Sequence, residues 1–163
     1  MTGIFYGSTT GATEAVAQDI ARMLGIPDSD IHNVAEASPD AVAPYDFLIL
    51  GSSTWGCGEL QDDWYGFLDV LEKKDLSGKY VALFGCGDSN SYPDTFCDAI
   101  GHLFEALKQT GCTFKGSYIP EGYGVINSLI CNEGQFLGLA VDESDPGKTD
   151  SRIAAWCELL KKG

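Results

Sequence analysis

The sequence predicts an α/β fold: a parallel β-sheet covered by helices on both faces, in a single domain spanning residues 1–163. Three observations carry this. Short apolar runs without charge recur along the chain, as strands buried on both faces require. Amphipathic helical patterns separate them. No internal repeat, low-complexity tract or linker interrupts the alternation, and 163 residues suit one hydrophobic core.

Thr2 to Tyr6 reads as the first buried strand. Ala12 to Leu24 follows as a helix, with Ala15, Val16, Ile20, Met23 and Leu24 at helical spacing. Asp30 to Val34 reads as a weak second strand. Ser38 and Pro39 look like a helix start, a capping hydroxyl followed by proline in the first turn. Phe47 to Leu50 (FLIL) is a central strand, Trp64 to Leu71 a short helix, and Tyr80 to Phe84 (YVALF) the next buried strand. Phe96 to Gln109 is a helix with Ile100, Leu103, Phe104 and Leu107 on one face. Thr113 to Ile119 reads as a strand and Thr149 to Leu160 as the last helix. Between Ile119 and Phe136 the segment PEGYGVINSLICNEGQ fits neither a helix nor a tight connection, and Phe136 to Val141 (FLGLAV) then resumes as strand. The reading is a fifth strand split by an inserted loop of roughly twenty residues, a length usually reserved for functional or mobile segments.

Twenty-four acids against ten Lys plus Arg give a formal charge of −14. Nucleic acid is excluded as a partner, because its binders need clustered positive charge, and anionic membranes would repel such a surface. The charge suits either a basic protein partner met by electrostatic steering or simple solubility. No stretch is long and apolar enough to span a bilayer, and no signal peptide pattern opens the chain, so a cytoplasmic protein is expected. The six cysteines are widely spread with no C-x-x-C pair, unlike a zinc site or disulfide framework, and most read as free thiols. His32 and His102 stand far apart and read as surface or structural residues.

In an open parallel sheet, ligands bind beyond the carboxyl ends of the strands. The loops after the first, third and fourth strands are the three unusual ones here. Gly7 to Thr13 (GSTTGAT) offers backbone N–H groups at a helix start and the hydroxyls of Ser8, Thr9, Thr10 and Thr13. Helix N-termini attract anions. Neither the Gly-Lys-Ser/Thr of a nucleotide-triphosphate loop nor G-x-G-x-x-G is present. The loop is therefore either a cradle for one terminal phosphate or an ordinary capped helix. Ser52 to Leu60 (SSTWGCGEL) places Trp55 where the core strand has ended. Gly85 to Pro93 (GCGDSNSYP) carries Tyr92, and its Asp88 could meet an imide-type N–H. Two aromatics beside a phosphate cradle suit a flat ring on a phosphorylated tail.

These motifs carry a resemblance. STTGAT at 8–13, TWGCGEL at 54–60 and GDSNSY at 87–92, with the split fifth strand and GLAVDESDPGKTDSRIAAW at 138–156, resemble the flavodoxins, of the long-chain subgroup, over essentially the whole chain. The resemblance implies a three-layer sandwich with a five-stranded parallel sheet in the order 2-1-3-4-5, and non-covalently bound FMN at the switch point between the first and third strands. It implies that Ser8, Thr9, Thr10, Gly11, Ala12 and Thr13 hold the phosphate, that Trp55 covers the inner flavin face and Tyr92 the outer. Backbone groups around Gly56, Cys57, Gly87, Asp88 and Cys97 would bond the ring edge, with Ser53, Thr54, Gly58 and Cys86 completing the set.

The function so implied is a low-potential one-electron carrier shuttling between semiquinone and hydroquinone, not an enzyme. A glycine at 56 should ease a backbone flip toward the protonated flavin, since a positive φ costs other residues about 1–2 kcal/mol. A Gly56→Thr variant should therefore show a lower first potential. Glu59, Asp62, Asp63 and Asp88 lie near in sequence and should disfavour the second electron. The expected partners are basic-surfaced redox donors and acceptors, and a monomer is expected. Residues 120–135 read either as a partner-selecting loop or as structural padding. Two rival readings make different demands on these residues. An FMN-dependent NAD(P)H quinone or nitro reductase of the same fold needs open access to the flavin, which two stacked aromatics would block. A cofactor-free receiver-type module needs an acidic cluster after the first strand, where Gly7 and Ser8 stand.

Overall fold

The computed structural model describes residues 1–55, 58–123 and 128–162. Its parallel sheet takes β1 (Thr2–Gly7), β2 (Ile31–Asn33), β3 (Phe47–Trp55), β5 (Tyr80–Gly87) and β6 (Thr113–Lys115) in the spatial order β2-β1-β3-β5-β6. A short β4 (Glu59–Leu60) pairs antiparallel with the end of β3, and β9 (Leu139–Asp142) pairs parallel with β5. The last two partners of β5 together make the split fifth strand. β6 lies beside Tyr80–Ala82 and β9 beside Phe84–Gly87, so one strand of β5 is served by two pieces of chain in the same direction.

Side chains alternate across this sheet with the strand period of two. Phe5, Leu48, Leu50, Val81 and Leu83 point to one face, where they meet α2 (Trp64–Leu71) and α3 (Asp98–Leu107). Ile4, Tyr6, Ile49, Ala82 and Phe84 point to the other, against α1 (Ala12–Leu24) and α4 (Thr149–Lys162). Both faces are buried, which is why the three central strands β1, β3 and β5 carry no charge. The core is tight at Gly51, where a Cβ would lie 2.0 Å from the Phe84 ring. Trp64 is fully buried and donates its indole N–H to the Gly51 carbonyl at 2.7 Å.

α1 and α2 have the bounds that periodicity predicts. Elsewhere the structure departs from the sequence reading. The helix expected at Ser38–Pro39 is a single 3-10 turn, Pro39–Val42, capped by the Ser38 hydroxyl; Pro44 offers no N–H to extend it. α3 starts at Asp98 because Phe96 is non-helical (φ −55°, ψ 118°) and Cys97 takes a left-handed conformation (φ 53°). Thr54 of β3 reaches across to accept the Ala99 N–H in the first turn of α3. β6 ends at Lys115, short of the expected Ile119, because Gly116 turns the chain at φ 90°. The insertion contains a tight hairpin after all. β7 (Cys131–Asn132) and β8 (Gln135–Phe136) are joined by Glu133 and Gly134, both at positive φ as a two-residue hairpin turn demands. Phe136 is thus hairpin and not resumed strand. The return to the sheet passes through Gly138, where a Cβ would lie 2.1 Å from the Leu83 carbonyl oxygen.

The five described cysteines are free. His32 donates from Nε2 to the Tyr45 hydroxyl, which in turn donates to Asp30, and its ring stacks on Phe5. That is the structural role expected of it.

Candidate cofactor-binding site

Three loops leave the carboxyl ends of β1, β3 and β5 side by side, because those strands are neighbours in register. Gly7 pairs with Ser52, and Ser53 with Cys86.

The first loop turns from β1 into α1 through Gly11, which caps the helix in a left-handed conformation (φ 94°) without a side-chain cap. The N–H groups of the first turn are left facing outward, and the helix dipole adds positive potential there. Two hydroxyls of this loop already accept a hydrogen bond: Ser8 Oγ from the Gly11 N–H at 3.1 Å, and Thr9 Oγ1 from Gln61 Nε2 at 3.1 Å. Each has its own proton left to give, so both are set up as donors. Thr13 Oγ1 is buried with no full hydrogen bond, its contact with the Cys86 thiol being a weak one. This donor set fits a phosphate held without Lys or Arg.

The second loop closes a hairpin between β3 and β4. Trp55 stands at its start, 40 % exposed, with its indole N–H fixed to Ser53 Oγ at 2.7 Å. Gly56 and Cys57, both expected to contact the ring edge, lie outside the described residues. Gly58 is in a left-handed conformation (φ 94°), and its carbonyl accepts from His102 Nε2 at 2.8 Å. A Cβ on Gly58 would meet Asp98 Oδ2 at 2.6 Å.

The third loop is ordered by two carboxylates. Asp88 Oδ1 accepts the backbone N–H groups of Asn90 and Ser91, both at 3.0 Å. The Ser91 backbone N–H and then its hydroxyl hold the Asp88 carboxyl below its ordinary range. Asp88 therefore spends one oxygen on its own loop. Asp142, buried at the end of β9, accepts from the N–H and hydroxyl of Ser89 and from the N–H and hydroxyl of Ser144. Burial alone would raise the Asp142 carboxyl, but these bonds overcome it and the net direction is down. Tyr92, 58 % exposed, rides on this anchored loop.

Trp55 and Tyr92 line one cavity of about 220 Å³. Thr10 of the first loop, Ser53 and Thr54 of the second, and Cys86, Gly87, Asp88 and Cys97 complete most of its wall. Of the remaining predicted residues, Ser8, Thr9, Gly11, Ala12 and Thr13 surround the mouth of α1 beside this wall, and Gly58 is not in it. Burial pushes the Cys86 thiol up to about 12 and the Cys97 thiol well above its usual value, so neither is a thiolate. Gly87 approaches Cys97 closely, a Cβ there meeting the Cys97 backbone nitrogen at 3.0 Å. Thr95, Phe96 and Glu143 also line the cavity, and no sequence motif singles them out for it. Glu143 stands at the rim, tied by its N–H to the Gly87 carbonyl. Burial, then the charges of Asp88 and Asp142, raise its carboxyl. Only the position of β9 against β5 brings Glu143 here, and no local signal marks it.

An exposed indole and an exposed phenol on one cavity, next to a loop of oriented uncharged donors, fit a flat ring with a phosphorylated tail. The family described as Flavodoxin matches residues 4–156. The chain is similar to the flavodoxin of Haemophilus influenzae, 40 % identical over 160 residues that cover 97 % of this chain and 92 % of that protein. It is 42 % identical to the flavodoxin of Nostoc sp. over 160 residues, 98 % of this chain and 94 % of that one. The crystal structure of Fusobacterium nucleatum flavodoxin bound to flavin mononucleotide matches with a TM-score of 0.89 at 31 % identity, covering 99 % of this chain and 96 % of that chain.

Proposed function

The chain belongs to the flavodoxin family and is an FMN-dependent electron-transfer protein rather than an enzyme, and we propose that it carries single electrons at low potential between redox proteins with basic surfaces. FMN, when bound, supplies the reversible one-electron chemistry. The protein's residues set the terms. Ser8, Thr9, Thr10 and Thr13, with the first-turn N–H groups of α1, hold the phosphate. Trp55 and Tyr92 cover the two faces of the ring and keep water from it. Backbone groups around Gly87, Asp88 and Cys97 meet the ring edge.

Asp88 and Glu143 line the site, and no Lys or Arg lines it among the described residues. Negative charge in a poorly screened cavity opposes the arrival of more negative charge, so the second electron is the harder one to add. The protein is proposed to be a cytoplasmic monomer. No helix among the described residues is long and apolar enough to cross a membrane.

The observation that carries this reading is the pair of exposed aromatics facing one cavity beside a helix start with uncharged hydrogen-bond donors. The test is a flavin titration followed by stepwise reduction under visible spectroscopy. FMN should bind tightly, and its second one-electron potential should fall below that of free FMN. A protein that ignores FMN, or whose second potential lies at or above the free value, would overturn the proposal. Rapid reduction by NAD(P)H alone would favour a reductase instead.

A further inference from the structure

We propose that Gln61 is a positioning residue for the phosphate: it fixes the Thr9 hydroxyl so that its proton, and not its lone pairs, faces the anion. The inference rests on the reading of residues 8–13 as the phosphate site.

Gln61 is buried, 2 % exposed, just past β4. Its backbone N–H donates to Ser52 Oγ at 3.1 Å, which pins it to the end of β3. Its amide is oriented by Asp63. The Asp63 backbone N–H can only donate, and it binds Gln61 Oε1 at 3.0 Å. The Asp63 carboxylate can only accept, and it takes Gln61 Nε2 at 2.7 Å. Oxygen and nitrogen of the amide are thus assigned by chemistry rather than by shape. The second N–H of that nitrogen then goes to Thr9 Oγ1 at 3.1 Å. Thr9 must accept, so its own O–H points away from Gln61, at an exposed position at the mouth of α1.

A free hydroxyl is ambivalent, since it can turn a lone pair or a proton toward a ligand. Facing an anion, only the proton attracts, and fixing it beforehand removes the ordering cost from binding. Ser8 receives the same treatment locally, from the Gly11 N–H. Thr9 receives it from a residue 52 positions away. Gly7 makes room for this contact, because a Cβ there would lie 2.4 Å from Gln61 Oε1 and 2.7 Å from the Trp64 ring.

The experiment compares FMN with riboflavin, which carries the same ring without phosphate, in flavin-stripped full-length protein by fluorescence quenching. Wild type should prefer FMN. Gln61→Met, close in volume, should lower FMN affinity about tenfold, as expected for one misdirected hydrogen bond to a charged group, and leave riboflavin affinity unchanged. Thr9→Val, at an exposed site, should cause a similar loss, and the double variant no further loss. Equal losses for both flavins in Gln61→Met would make Gln61 a structural residue and overturn the proposal. So would a double variant whose loss is the product of the two single losses. Wild type binding riboflavin as tightly as FMN would instead defeat the phosphate reading itself.

Discussion

Asp142 offers the sharpest test of how the third loop is held. Its buried carboxylate accepts four hydrogen bonds, two from Ser89 and two from Ser144. Replacing it by alanine removes all four and leaves the Ser89 N–H without its acceptor. A hydrogen bond to a charged group contributes about 1.5–3 kcal/mol, and an orphaned buried donor costs about 1–3, less for the half-buried Ser89 N–H. These do not add, because one carboxylate serves all four and the exposed Ser144 can turn to water. The expected loss for Asp142→Ala is about 2–4 kcal/mol, with roughly half of that for Asp142→Asn, which keeps an accepting oxygen. Urea denaturation of the flavin-free protein at neutral pH measures it. FMN affinity should fall as well, since Ser89 anchors the loop that carries Asp88 and Tyr92. The pH dependence has a definite sign. The folded carboxyl lies below its unfolded value, so its contribution is present above about pH 4 and is lost as pH falls through the folded pKa. Asp142→Asn should therefore flatten the acid limb of the stability curve. An alanine variant within about 0.5 kcal/mol of wild type, with unchanged FMN affinity, would refute the anchoring role.

Three further outcomes are expected. Glu143→Gln removes a negative charge from the cavity rim and should raise the second one-electron potential by tens of millivolts, a tenfold change in a one-electron equilibrium being about 59 mV; spectroelectrochemical titration measures it, and an unchanged or lower value would contradict the placement. Trp55→Ala and Tyr92→Ala should each weaken FMN binding by about 1–3 kcal/mol, the value of burying a large apolar side chain. Because the chain's own residues leave both rings exposed, neither change should move the urea stability measured without FMN by more than about 0.5 kcal/mol. Gly138→Ala should destabilise by about 3 kcal/mol or more, since its Cβ would meet the backbone oxygen of Leu83, which cannot step aside as a flexible side chain could; a folded variant with unchanged denaturation midpoint would contradict it.

Some of this was legible in the amino-acid order because its causes are local. The 3.6-residue spacing of Val16, Ile20 and Leu24 bounds α1, and uncharged runs mark strands buried on both faces. The three loop motifs stand out because glycines, hydroxyls and unsheltered aromatics at strand ends violate the core pattern around them. Other features required the folded chain. The end of β6 at Gly116 and the Glu133–Gly134 turn depend on left-handed φ angles that the neighbouring residues alone do not demand. Gln61 reaches Thr9 only because β1 and β3 pair in register, and Glu143 and Asp142 reach the third loop only because β9 docks on β5. A periodic pattern records which way a side chain faces. It holds no record of which distant residue it will face, because sheet register and the closure of long loops settle that after the local elements have formed.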